Sequence, residues 1–159
     1  MTDHLLRCAT PDDFDDLHAL YKDLVGTIGV PAGAAGRARL ARILSHPGTA
    51  IHAAQVDGRL VSMATLHVLP NLTFDGRPYA LAENVVTLRS FQGQGIGRAV
   101  MTHLAEAAWA ANAYKIMLLT GQDLGARGFY ERLGYSADEK FGMTLRRAPG
   151  RQPAQASLP

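Results

Sequence analysis

The sequence contains a single cysteine, Cys8, among 159 residues. One thiol cannot form an internal disulfide, so other interactions must hold the fold together. Cys8 alternates with apolar residues in a strand-like stretch, which predicts a small core residue. A nucleophilic role needs a partner base, and the sequence singles none out. The six histidines are scattered and form no metal-ligand spacing with another histidine, cysteine or acid, so we expect no metal site.

Long apolar runs and a strong charge of either sign are also missing. No apolar run approaches the roughly 20 residues that span a bilayer. The 16 basic residues against 14 acidic ones give a net charge of +2, which is too small to argue for a nucleic-acid partner. The segment Met1–His4 lacks the basic and apolar regions of a signal peptide. We therefore expect a cytoplasmic protein with neither a membrane nor a nucleic-acid partner.

Predicted strands alternate with predicted helices, which favours an α/β or mixed α+β fold. The segment Thr10–Asp13 combines a capping threonine, a proline and two acids, and so predicts a helix start. Asp57 and Gly58 predict a tight hairpin between strands over residues 49–56 and 60–69. A last strand is predicted over Phe141–Arg147.

The chain shows neither an internal repeat nor an interdomain linker. We expect a single domain over residues 1–147. Residues 148–159 hold three prolines and little apolar surface, which is typical of a disordered tail.

The most informative segment is rich in glycine and reads Phe91-Gln92-Gly93-Gln94-Gly95-Ile96-Gly97-Arg98. It follows an apolar run and precedes an amphipathic stretch, which predicts a strand, a turn and a helix. Glycine permits positive φ and close approach of a ligand to the backbone. A helix starting here directs its free N–H groups and its positive dipole end at the gap, which is the chemistry of a phosphate cradle.

Two familiar phosphate loops do not fit this segment. The dinucleotide fingerprint requires a third glycine where Arg98 stands, and the P-loop requires a Gly-Lys pair that the chain lacks. A glycine-rich turn that binds no ligand remains the alternative at this point.

The pattern Gln92-x-x-Gly95-x-Gly97 resembles the acetyl-CoA loop of the GNAT superfamily of N-acetyltransferases, whose backbone amides hold the cofactor pyrophosphate. Three flanking segments, in the right order, are similar to the family's fourth strand, its fifth strand and the Phe-Tyr motif that follows: Ala82–Thr87, Tyr114–Thr120 and Ala126–Tyr135. The resemblance is strong over residues 79–147 and looser over residues 1–69.

The resemblance implies the GNAT fold. In that fold a mostly antiparallel, twisted sheet of six to seven strands carries about four helices. Strands four and five are parallel and splay apart, and the pantetheine arm of the cofactor pairs with the exposed edge of strand four.

The resemblance also implies acetyl-CoA as the cosubstrate. The residues expected to bind it are Val85, Val86, Thr87, Gln92, Gly93, Gln94, Gly95, Ile96, Gly97, Arg98 and Asp123. For Arg98 the alternative is a solvated arginine on a helix. Asp123 stands where many relatives carry an asparagine that contacts pantetheine, and its alternative role is to cap the final helix.

Two residues are the candidate catalysts. Many relatives carry a carboxylate at the position of Glu83, often acting through water, so the resemblance implies Glu83 as the general base. Tyr130 matches the tyrosine that lies near the cofactor sulfur, and a phenol, with a free pKa of about 10, is protonated at neutral pH. The alternatives are a carboxylate that hydrogen-bonds a loop and a tyrosine that belongs to the core.

The sequence says least about the acceptor molecule. In amino-sugar relatives the loop matching Asn71 and Thr73 faces the acceptor, so these two residues and Glu83 are the candidate substrate ligands; a polar hairpin turn is the alternative. We expect an N-acetyltransferase that acts on a small primary amine, with an amino-sugar phosphate leading. Acetylation of proteins or peptides and a non-catalytic acyl-CoA sensor remain alternatives, and family habit suggests a homodimer.

Overall fold

The computed structural model of the chain describes residues 3–26, 29–122 and 125–147. Its contacts divide the chain into two compact units, the first ending at Leu118 and the second beginning at Leu119. The strands of the first unit are β1 (Leu5–Cys8), β2 (Thr49–Val56), β3 (Arg59–Leu69), β4 (Tyr79–Thr87) and β5 (Ile116–Met117). Its helices are α1 (Phe14–Val25), α2 (Gly33–Leu44), α3 (Thr73–Gly76) and α4 (Ile96–Ala110).

The first helical region begins where the sequence predicts. A 3₁₀ turn, Pro11–Asp13, leads directly into α1. The Asp13 carboxylate accepts a hydrogen bond from the Thr10 amide at 2.7 Å and forms an ion pair with Arg7 at 2.7 Å. The Arg7 hydrogen bond holds the pKa of Asp13 down at about 2. This contact fixes the start of the helix against β1.

The five strands form one sheet in the order β1-β2-β3-β4-β5. The first four pair antiparallel, and β4 pairs parallel with β5. Asp57 and Gly58 close the hairpin between β2 and β3 with positive φ at both residues, as a type I′ turn requires. The predicted hairpin and the predicted parallel pair are therefore both confirmed, and so is the mixed α/β fold.

The central strands of the sheet carry apolar side chains on both faces, and helices pack against both. One cluster of buried side chains joins α1 and α2 to the sheet: Phe14, Leu17, Leu20, Leu40, Ile51, Ala53, Leu60, Met63 and Val86. Helix α4 connects β4 to β5 and buries Ile96, Val100, Met101, Leu104 and Ala108. β2 and β3 are joined by a two-residue turn, whereas the parallel pair of β4 and β5 needs a crossover connection such as α4.

Three details differ from the expectations. The described residues contain five strands rather than six to seven, and Phe141–Arg147 is not a strand. Its apolar residues alternate, but alternation forms a strand only where a partner supplies hydrogen bonds. Cys8 is exposed rather than buried, because it ends the edge strand β1. The short α3, between β3 and β4, brings the described α-helices to five, where about four were expected.

The second unit contains α5 (Arg127–Glu131), the helix of the predicted Phe-Tyr motif. Arg127 forms ion pairs with Glu131 at 2.6 Å and with Asp138 at 3.1 Å. The predicted tail over residues 148–159 lies outside the described residues, and the single domain stays a prediction. No described helix combines the length and apolar character that a bilayer crossing demands.

Candidate functional site

The glycine-rich segment forms an open turn at the start of α4. Gly93 and Gly95 have φ of +73° and +82°, and a Cβ added at either position would meet nothing within 4 Å. Gly95 is the N-cap of α4 in the left-handed conformation. Glycine is therefore required here by backbone conformation and leaves room for a ligand against the main chain.

The turn presents a set of unused donors. In the part of the chain that the structure describes, no main-chain carbonyl accepts a hydrogen bond from the amides of Gly93, Gly95, Ile96 or Gly97. The first turn of α4 contains no acidic residue, and Arg98 stands within it. Free amides, a positive helix end and an adjacent guanidinium suit an anion such as a diphosphate. The residues present thus fit the group that the sequence resemblance implies.

Two side chains tie the turn to the end of β4 and to the segment that follows it. Gln92 donates a hydrogen bond from Nε2 to the carbonyl oxygen of Thr87 at 2.9 Å. Gln94 donates in the same way to the carbonyl of Ser90 at 2.9 Å. These bonds hold the glycines in a fixed orientation, so that their amides need little reorganisation when a ligand binds.

Ser62 on β3 fixes the same strand end from the other side. Its buried hydroxyl lies 3.1 Å from the carbonyl oxygen of Val86 and 2.8 Å from the hydroxyl of Thr87. The Leu88 amide then donates to the carbonyl of Val61 at 2.9 Å. The strand end is therefore anchored to β3, which sequence reasoning missed because the contact joins residues 25 positions apart.

Strand β4 contains a bulge immediately after Glu83. Thr65 pairs with Glu83 and Met63 with Val86, so Ala64 alone faces Asn84 and Val85. Asn84 adopts φ of +53°, a conformation that asparagine tolerates better than most residues. Bulges reorient a strand and are frequent beside active sites. An asparagine within an apolar run was the available sequence signal for it.

The outer edge of β4 is mostly open. Its parallel pairing with β5 is confined to Ala80 and Leu81, although β4 continues to Thr87. Among the described residues no strand covers the edge beyond Leu81. Val85, Val86 and Thr87 lie along this open part, where main-chain groups can pair with an extended ligand.

Glu83 is half-buried at the bulge. Its carboxylate makes no hydrogen bond or ion pair with any other residue in the described ranges. Buried polar groups are normally satisfied within the protein, by water or by a ligand. The structure thus gives no loop contact that would make Glu83 a structural carboxylate.

Asn71 and Thr73 lie together in the turn between β3 and β4. The Asn71 amide donates to the Thr73 hydroxyl at 2.6 Å and to the Arg77 carbonyl at 3.4 Å. The pair therefore shapes the turn, as the hairpin alternative predicts. Their contact with an acceptor stays a prediction.

Tyr130 lies on α5 in the second unit. Its ring meets Phe129 at 5.0 Å and Tyr135 at 6.0 Å between centroids, edge to face. Burial raises the pKa of Tyr135 to about 12, with a further contribution from Tyr130. The buried Tyr135 hydroxyl has no hydrogen-bond partner within the described residues. Asp123 lies outside the described residues.

In the described ranges, no group of three or more His, Cys, Asp or Glu side chains is placed to hold a metal ion. The candidate site in the first unit consists of the glycine-rich turn, the open edge of β4 and the carboxylate of Glu83.

Comparison with known proteins gives the same fold and a family. A curated glucosamine 6-phosphate N-acetyltransferase of Trypanosoma brucei brucei is 34% identical over 92 residues, which is 58% of this chain and 61% of that protein. A solved structure of a provisionally named acetyltransferase from Agrobacterium tumefaciens is 42% identical, with a TM-score of 0.85 over 90% of this chain and 99% of that one. An acetyltransferase structure from Trypanosoma brucei is 28% identical, with a TM-score of 0.79 over 91% and 100%.

The match to a family covers most of the chain. The model of the Acetyltransferase (GNAT) family matches residues 11–135, which include the glycine-rich turn, Glu83 and Tyr130. Members of this family use acetyl-CoA. The chain therefore belongs to the GNAT family of acetyltransferases and is an acyltransferase.

Proposed function

We propose that the protein transfers the acetyl group of acetyl-CoA to the primary amine of a small molecule, with an amino-sugar phosphate as the leading acceptor. The observation that carries this proposal is the turn at the start of α4, where the amides of Gly93, Gly95, Ile96 and Gly97 donate to no main-chain carbonyl of the described residues. The curated relative that acts on glucosamine 6-phosphate supports the acceptor class.

In this proposal the diphosphate of the cofactor binds the amides of residues 93–98, with Arg98 offsetting its charge. Its pantetheine arm pairs with the open edge of β4 at Val85, Val86 and Thr87. Gln92 and Ser62 hold that strand end in place. Asp123 is proposed to contact the same arm.

The chemical step is a direct attack within a ternary complex. Glu83 takes a proton from the amine, directly or through water, and the amine nitrogen then bonds to the carbonyl carbon of the thioester. Main-chain amides in the segment Val86–Leu88 stabilise the oxyanion that forms, except the Leu88 amide, which already donates to the carbonyl of Val61. The C–S bond breaks as the tetrahedral intermediate collapses, and Tyr130 donates the proton that the thiolate accepts. The nitrogen then releases its extra proton to the Tyr130 phenolate, which leaves the amide, the CoA thiol and protonated Glu83. The open Glu83 carboxylate, without a protein partner in the described ranges, is what a general base requires.

The test is a panel of primary amines incubated with acetyl-CoA while free thiol is monitored. The panel contains glucosamine 6-phosphate, glucosamine, an aminoglycoside and a lysine-containing peptide. We expect amine-dependent thiol release, and Glu83→Gln should lower it by roughly 10²- to 10⁴-fold because the general base is lost. Acetyl-CoA binding without release for any amine would favour a sensor, and release with the peptide alone would favour a protein acetyltransferase.

A further inference from the structure

Lys115, immediately before β5, lies within a group of aromatic rings in the first unit. Its Nζ is 5.8 Å from the ring centroid of Tyr79 and 5.3 Å from that of Tyr114. Throughout the ranges that the structure describes, no carboxylate pairs with Lys115, including Asp75 in the nearby turn. Neither tyrosine hydroxyl hydrogen-bonds another side chain there. The group therefore offers one unneutralised cation and two unused donors.

A strained turn completes this group. The Phe74 ring stacks on Tyr114 with centroids 4.2 Å apart and is 62% exposed. Phe74 and Asp75 have φ of +55° and +57°, where residues other than glycine are uncommon. Such strain persists only where the surroundings impose it, and it concentrates at ligand sites. Here the Asn71 hydrogen bonds impose the turn, and the result is an aromatic surface beside Lys115.

The register of β4 places this group on the same face as the proposed base. Tyr79 pairs with Leu69 and Glu83 with Thr65, with no irregularity between them. Side chains at i and i+4 of a regular strand share a face, and their Cα atoms are about 13 Å apart. Because Lys115 contacts the Tyr79 ring, its ammonium belongs to that face as well. The ammonium and the carboxylate therefore lie on one face of the sheet, where the two ends of a single acceptor can reach them.

We propose that Lys115, between Tyr79 and Tyr114, binds the phosphate of the acceptor while the acceptor amine reaches Glu83, so that this group selects phosphorylated amines. The inference rests on the proposed function and names the residue that would select its substrate class. A lysine ammonium attracts phosphate as a point charge, and phenol hydroxyls donate to phosphate oxygens. The exposed Phe74 ring gives the apolar face of the acceptor a surface to pack on.

The test measures glucosamine 6-phosphate and glucosamine as acceptors for the native protein and for Lys115→Met. This substitution removes the charge but keeps the length of the side chain and its packing on the rings. We expect the ratio of kcat/KM for the phosphorylated amine to that for the unphosphorylated one to fall about 10-fold or more, since a charge-assisted contact is lost. Lys115→Arg should restore most of the ratio. Lys22→Met, at an exposed lysine of α1, is the matched control and should leave the ratio unchanged.

An unchanged ratio in Lys115→Met would overturn the inference, and so would an equal loss for both amines, which would mark a structural role. Titration of glucosamine 6-phosphate into the CoA-loaded protein by calorimetry provides a readout without turnover. The native protein should bind it about 10-fold more tightly than Lys115→Met. If this difference in affinity is found but no thiol is released, the phosphate site stands and the proposed reaction fails. If the native protein and Lys115→Met bind glucosamine 6-phosphate equally, or if neither binds it, the phosphate site is overturned.

Discussion

The imidazoles of His52 on β2 and His103 on α4 meet at their Nδ1 atoms, 3.0 Å apart. His52 is only 2% exposed, and its Nε2 has no hydrogen-bond partner among the described residues. Burial, and secondarily the charge of His103, lowers the pKa of His52 to about 4. The helix that begins at the glycine-rich turn is thus joined to the sheet by a contact that disfavours the protonated, charged form of His52.

This contact predicts a loss of stability in mild acid. The folded state binds fewer protons than the unfolded chain between the two pKa values of His52, about 6.5 unfolded and about 4 folded. The stability due to neutral His52 is therefore complete above pH 6.5 and is lost as the pH falls from 6.5 to 4. The loss amounts to about 3 kcal/mol, at about 1.4 kcal/mol per pKa unit.

Urea unfolding at pH 7.5, 5.5 and 4 measures this loss. In His52→Gln the decrease in the free energy of unfolding over this range should shrink by about the same 3 kcal/mol. The exposed His46 provides the control, because His46→Gln should unfold with the native pH dependence. A native-like slope in His52→Gln would refute the assignment.

The bulge at Asn84 makes a second prediction. Asn84→Gly preserves the positive φ, and acetyl-CoA should bind it within about 2-fold of the native protein because the strand path is kept. Asn84→Val should cost about 1–2 kcal/mol of strain or straighten the bulge, so that affinity for acetyl-CoA falls. Calorimetric titration of both variants, alongside thermal unfolding, separates the two effects. Equal affinities in the two variants would show that the bulge does not shape the cofactor site.

Tyr130 is tested against its neighbour Tyr135. Tyr130→Phe should slow acetyl transfer by about 10- to 100-fold without loss of acetyl-CoA binding, because only the proton donor is removed. Tyr135→Phe removes a buried hydroxyl that has no partner in the described ranges, so its rate should stay native and its stability should be kept or rise. Single-turnover kinetics of thiol release measures both rates. A native rate for Tyr130→Phe would remove this residue from the proposed mechanism.

The sequence predicted those features that depend on neighbouring residues. The glycines at 93, 95 and 97, the apolar stretch of α4 and the hairpin at Asp57 each follow from the local conformational preferences of the residues themselves. Helix α1 begins as the Thr10–Asp13 segment indicates. Predicting these features requires no knowledge of which distant segments pack together.

Contacts between distant segments were beyond such reasoning. The Ser62 hydroxyl meets Thr87, and His52 meets His103, only after the strands and α4 have packed. The predicted strand over Phe141–Arg147 was wrong because alternation cannot supply a pairing partner. Cys8 was expected in the core, but β1 is the edge of the sheet, and a position at an edge is set by the whole topology.

The most direct test of the account is the affinity of coenzyme A for Gly95→Asp compared with Gly95→Asn, measured by calorimetric titration. The two side chains have the same size and a similar tolerance of the left-handed backbone at Gly95, so they differ chiefly in charge. The account predicts that Gly95→Asp loses detectable binding, because its carboxylate stands beside the diphosphate, while Gly95→Asn keeps a weakened affinity. Equal, native-like affinity in both variants would show that coenzyme A binds elsewhere and would contradict the account.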